Sequence, residues 1–152
     1  MKEIESEKDL EIRIRNNLKD LFSDTDFILF ENKDVVDIVI LNDKTQKLFF
    51  IEVKFFKKSH LRLGTGSENG KGFQIEILKG KFAYFESNLR WILATEDDDY
   101  YRFCTNKQIR EYICNGLGEK YNSISKKLFE SDKISKLTEE ELIKEINRWL
   151  NQ

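Results

Sequence analysis

Residues 34–54 read DVVDIVILNDKTQKLFFIEVK, from Asp34 to Lys54, and this stretch decides how the rest of the chain is read. Two apolar runs, Val35 to Leu41 and Leu48 to Phe56, flank a polar segment at Asn42 to Gln46. Short runs rich in Val, Ile and Phe, bounded by Asn and Asp, predict a β-hairpin. Asp37, Glu52 and Lys54 interrupt these strands. A charge inside a buried strand is costly unless it is paired or holds a metal, so the three together point to a site. Side chains alternate along a strand, which puts Glu52 and Lys54 on one face. Asp37 joins that face if it stands opposite Phe50 or Glu52. Paired positions must then sum to 87 or 89, as they do for a turn centred between Asp43 and Lys44 or between Lys44 and Thr45. A turn centred on Lys44 itself would flip Asp37 to the other face.

Outward from the hairpin, Leu10, Ile14, Leu18, Leu21 and Phe22 recur at helical spacing within 6–22. Phe27 to Glu31 reads as a first strand. A helix is expected over Phe73 to Ser87, with Ile75, Leu78, Phe82 and Phe85 as its buried stripe. Strands are expected at Leu89 to Thr95 and at Tyr100 to Cys104. Helical segments follow at 106–115 and at Tyr121 to Phe129. Thr138 and Glu141 make a capping box for a last helix, whose apolar face is Leu142, Ile143, Ile146, Trp149 and Leu150.

Asp37, then fourteen residues, then Glu52-Val53-Lys54 resembles the signature of the PD-(D/E)XK nuclease superfamily. That superfamily includes most type II restriction endonucleases, some Holliday-junction resolvases and several repair nucleases. Val36 stands where the family often has proline, and this chain contains no proline. The resemblance implies an α/β fold with a restriction-endonuclease-like core of order αβββαβ. Its central mixed β-sheet is flanked by helices, with further C-terminal helices, as one nuclease domain over residues 1–152. It also implies a magnesium-dependent DNA endonuclease, first of all a type II restriction-type enzyme. The alternatives are a repair or Holliday-junction resolving nuclease of the same fold, or a catalytically silent nucleic-acid-binding domain. In this reading Asp37 and Glu52 bind Mg²⁺ with the Val53 carbonyl, and Lys54 handles the attacking water. The products are a 5′-phosphate and a 3′-hydroxyl. Glu11, on the first helix, is the candidate to reach the metal through water, and Gln74 the candidate fourth catalytic residue.

The 152-residue chain is 36% charged and 39% hydrophobic, a balance suited to one packed domain, and carries a net charge of −2. No apolar run approaches a membrane span. Cys104 and Cys114 lack a CxxC partner and read as reduced thiols of a cytoplasmic protein. Residues 57–72 hold four of the seven glycines, but the spacing around Gly64, Gly66 and Lys71 does not fit a Walker A loop. No nucleotide cofactor is therefore expected. Between Lys54 and Lys81 seven basic residues face two acidic ones, a local charge of +5. Such clustering beside a site suits a nucleic-acid backbone. Lys57, Lys58, His60, Arg62 and Lys71 are the expected DNA contacts. Double-stranded DNA is the expected partner, cut by a homodimer; the last helix and the Trp91 region carry apolar residues that could serve its interface, but core packing is the use expected of them first.

Overall fold

The computed structural model describes residues 4–30, 36–57, 63, 77–113 and 123–152. Helix α1 spans Glu7–Phe22, begun by Ser6, whose hydroxyl accepts the Asp9 amide at 3.1 Å. Strands β1 (Phe27–Phe30), β2 (Ile38–Asn42) and β3 (Lys47–Phe56) form an antiparallel meander. Helix α2 (Ala83–Asn88) leads into β4 (Leu89–Thr95), which lies parallel to β3. Strand β5 (Tyr101–Thr105) closes the sheet antiparallel to β4. Helices α3 (Asn106–Glu111), α4 (Lys127–Glu130) and α5 (Glu139–Leu150) follow. The five strands stand in the order β1-β2-β3-β4-β5. The expected αβββαβ order and mixed sheet are therefore the architecture observed.

Ile38 pairs with Ile51 and Asn42 with Lys47, so positions sum to 89 and the turn is centred between Lys44 and Thr45. The Asn42 side chain sets that turn by accepting the amides of Lys44 (3.1 Å) and Thr45 (3.3 Å).

Alternation along the strands splits the core between the two faces. Ile38, Ile40, Phe49, Ile51, Val53 and Ile92 pack with α1 and α5. Val39, Phe56, Trp91, Leu93 and Cys104 pack on the other face with Ile109 and Leu128. Cys104 is a free buried thiol whose pKa burial pushes up to about 12, so it carries no thiolate chemistry. Cys114 lies outside the described residues.

Three expectations are corrected. The helix over 73–87 is not continuous: Ile77 and Leu78 are helical, Gly80 turns with φ +79°, and α2 starts at Ala83. A glycine with positive φ ends a helix, and a Cβ at Gly80 would meet Glu86 Oε1 at 3.0 Å. Phe82 is accordingly 39% exposed rather than buried, while Phe73 and Ile75 lie outside the described residues. The segment 121–129 condenses to the short α4, because Ile124 pairs with Ile113 as an isolated β-bridge. For the same reason the helix expected to 115 stops at Glu111. The apolar face of the last helix and the Trp91 region are core, the use expected for them ahead of a dimer contact. Trp149 of α5 meets Phe49 and Phe103 edge-on at 5.0 and 5.7 Å. Trp91 is buried and donates to Asn106 Oδ1 at 3.0 Å. Among the described residues, no helix is long and apolar enough to cross a membrane.

Candidate active site

Pairing with β2 ends at Ile51, but β3 runs on to Phe56 and keeps β4 as its neighbour on the other side. Among the described residues, no strand lies against the β2-side edge of β3 beyond Ile51. Side-chain carboxylates take that place. The Val53 amide donates to Asp37 Oδ2 at 2.8 Å. Two residues on, the Phe55 amide donates to the carboxylate of Glu7, from the first turn of α1. In a strand a residue's N–H and C=O leave on the same edge, so the Val53 carbonyl also faces the Asp37 side.

Glu52 is only 4% exposed. Burial raises its pKa to about 8, and the negative charge of Asp37 adds to the rise. Lys54 opposes it, while a carboxyl–carboxylate hydrogen bond to Asp37 and the charge of Glu7 reinforce it. Lys54 Nζ lies 3.6 Å from Glu52 Oε1 and 3.8 Å from Glu7 Oε1, with its side chain 11% exposed. Burial likewise raises the pKa of Glu7; Lys54 lowers it and Asp37 raises it. Two carboxylates thus share Lys54, and a third, Asp37, is hydrogen-bonded to Glu52. Glu52 is buried, Asp37 half-buried and Glu7 exposed, and the charge on buried Glu52 is relieved by a proton or by a bound cation.

Asp37, Glu52 and Lys54 are brought together as the hairpin register requires. Glu11 pairs with Arg15 (3.7 Å), and the buried Arg15 donates to the Asp37 carbonyl. Glu11 therefore acts on the backbone of Asp37, and α1 sends Glu7 to Lys54. Glu7 was legible only as a helical repeat: it stands one turn before Glu11 and continues the line through Ile14 and Leu18. Lys57 is exposed directly after β3. Gln74, Lys58, His60, Arg62 and Lys71 lie outside the described residues.

Among the described residues, no group of three or more His, Cys, Asp and Glu is arranged to hold a metal ion. The donor set available is two carboxylates and one carbonyl, all hard oxygens. Magnesium suits such a set, since it takes one or two carboxylates and fills its octahedron with water and phosphate oxygens.

No protein-family model matches the sequence, and no curated protein matches it. Among solved structures, the chain is similar to Hjc of Archaeoglobus fulgidus, described as a Holliday junction resolvase from an archaeal hyperthermophile. The likeness has 17% sequence identity and a TM-score of 0.46, and covers 87% of this chain and 98% of that one.

Proposed function

We propose that the chain is a metal-dependent nuclease that hydrolyses phosphodiester bonds of DNA, folded as one domain over its 152 residues. The observation that carries this reading is the joining of Asp37 and Glu52 at the β2-side edge of β3, with Lys54 3.6 Å from Glu52. Asp37, Glu52 and the Val53 carbonyl would hold Mg²⁺. When bound, that ion polarises the scissile phosphate and lowers the pKa of a water. Lys54 orients the attacking water and stabilises the charge that develops on phosphorus. Glu7 fixes Lys54 from the helix side and leaves its ammonium between two carboxylates. Lys57 and the basic residues after it hold the DNA backbone, with an affinity that falls as salt rises. Gln74 and Glu11 have supporting roles, Glu11 through Arg15. Two strands of a duplex need two such sites, which a twofold homodimer would supply through surfaces other than α5 and Trp91.

The test is incubation with a four-way DNA junction and with supercoiled plasmid, in Mg²⁺ or EDTA, followed by analysis of the ends. Junction DNA tests the resolving alternative, and plasmid duplex tests the restriction-type expectation. Cleavage in Mg²⁺ that EDTA abolishes, leaving 5′-phosphates, is the expected result. Intact DNA in every arm overturns the nuclease reading.

The two helix glutamates separate by substitution. Glu7→Gln is expected to slow cleavage about tenfold, below the full contribution of a group that itself transfers a proton, because Lys54 loses one of its two anchors. Glu11→Gln is expected to act mainly on stability, by about 1–3 kcal/mol, since it removes a charged partner of the buried Arg15. Cleavage rates beside thermal melting make the comparison. Loss of cleavage in Glu11→Gln at unchanged melting temperature would hand the role back to Glu11.

A further inference from the structure

A cavity of about 330 Å³ opens where β4 and β5 meet the acidic turn between them. Strands β3 and β4 end together at the Phe56–Thr95 pair, and the carboxyl ends of parallel strands are where open α/β sheets bind ligands. Lys54, Leu93 and Arg102 form one row across β3, β4 and β5. Residues in register share a face. Strands are spaced about 4.8 Å apart, so Arg102 stands roughly 10 Å from Lys54 on the face that carries Glu52. Phe56, two residues past Lys54, meets Phe129 edge-on at 6.0 Å, and Phe129 lines the cavity.

The walls are polar but balanced. Arg102, Lys126 and Lys136 face Asp97, Asp98 and Glu130. Arg102 is 1% exposed. Both its terminal nitrogens are bound by Asp98, at 2.9 and 2.8 Å, and its guanidinium lies 5.0 Å from the centroid of the Phe129 ring. Among the described residues its buried Nε has no hydrogen-bond partner, a condition rare enough in native folds to call for a missing water or ligand. Thr95 adds a buried hydroxyl-bearing side chain. An anion gains little from three cations already matched by three carboxylates. A neutral planar heterocycle gains from mixed donors and acceptors, and from the half-buried Phe129 ring, an aromatic surface of the kind on which bases stack.

We propose that this cavity receives a nucleobase unstacked from the DNA strand beside the scissile phosphate. The proposal rests on the nuclease reading above and adds a preference for DNA with an unpaired nucleotide near the cut. One stacked base contributes about 1–3 kcal/mol, which is roughly 5- to 150-fold in affinity.

The experiment measures binding, with Ca²⁺ in place of Mg²⁺, to three oligonucleotides: a full duplex, the same duplex with one unpaired adenosine, and one with an abasic residue at that place. The unpaired adenosine is expected to bind at least about fivefold tighter than the abasic residue. Phe129→Leu, which keeps an apolar side chain but removes the ring, is expected to abolish that difference and leave full-duplex binding unchanged. Should this variant melt below the assay temperature, Glu130→Trp fills the cavity from its rim, with the same expected loss. Equal binding of adenosine and abasic DNA by the unaltered protein overturns the proposal, as does a preference that survives both variants. So does selective loss of the preference in millimolar inorganic phosphate, which would make the cavity an anion site. Failure to bind any of the three DNAs refutes the nuclease reading itself.

Discussion

Asp37→Asn, Glu52→Gln and Lys54→Ala are each expected to reduce cleavage by at least two to four orders of magnitude, with the fold kept. A positioned proton-transfer group alone contributes about 10²–10⁴, and a preorganised charge at the developing oxyanion contributes a similar factor. The carboxylates carry a further burden, since each is half of the proposed acidic ligand set. Glu52→Gln is the cleanest of the three. It keeps shape, and Lys54 retains Glu7 at 3.8 Å, so no ammonium is left buried alone. Asp37→Asn keeps an oxygen that can accept the Val53 amide, so the edge of β3 stays capped. Single-turnover cleavage beside circular dichroism makes the measurement. Undiminished cleavage in either carboxylate variant would remove the site from this edge of the sheet.

Without a divalent cation, the protein is expected to lose stability as pH rises from about 4.5 to 8. Glu52 has a folded pKa near 8 against an ordinary 4.5. A raised carboxyl pKa means that the folded chain keeps a proton which the unfolded chain releases. Its contribution to stability is full below the unfolded value and is lost as pH climbs through the folded one. A gap of one pH unit between folded and unfolded values is worth about 1.4 kcal/mol, so the loss is on the order of 4 kcal/mol. Urea unfolding in EDTA at pH 5 and pH 8 reads it directly. Glu52→Gln should flatten the profile and exceed the unaltered protein in stability at pH 8. Millimolar Mg²⁺ should restore stability at pH 8 and do little at pH 5, where the proton occupies the pair. A profile that rises with pH in EDTA would show that Glu52 is ionised in the folded chain.

The sheet was legible because its strands are apolar and punctuated: the Asn42 turn and the alternation around Glu52 narrowed the hairpin register to one of two sums, and both placed Asp37 beside Glu52. The αβββαβ order followed from the same runs. Helix continuity was harder to read. Nothing in the apolar spacing of 73–87 announces that Gly80 takes a positive φ under the Glu86–Arg110 pair, because that pair joins residues 24 positions apart. Glu7 was missed for a related reason. Glu7 and Glu11 occupy one face of α1, and which of them meets Lys54 depends on how the helix is seated along β3. Arg15 decides it by engaging Glu11 and the Asp37 carbonyl together. The cavity at Arg102 had no sequence signal, since its walls come from β4, β5, α4 and the turn between the two strands.

The outer edge of β3 has a spectroscopic consequence. The amides of Ile51 and Phe49 open to solvent only when strands part. Those of Val53 and Phe55 are held by the side chains of Asp37 and Glu7, and rotation of a single carboxyl group frees each of them. Their hydrogen exchange should therefore run faster than that of their neighbours and respond to whatever occupies the carboxylates. In a nitrogen–proton spectrum the Val53 resonance becomes a built-in reporter on Asp37, within the same residue as the carbonyl proposed as a metal ligand.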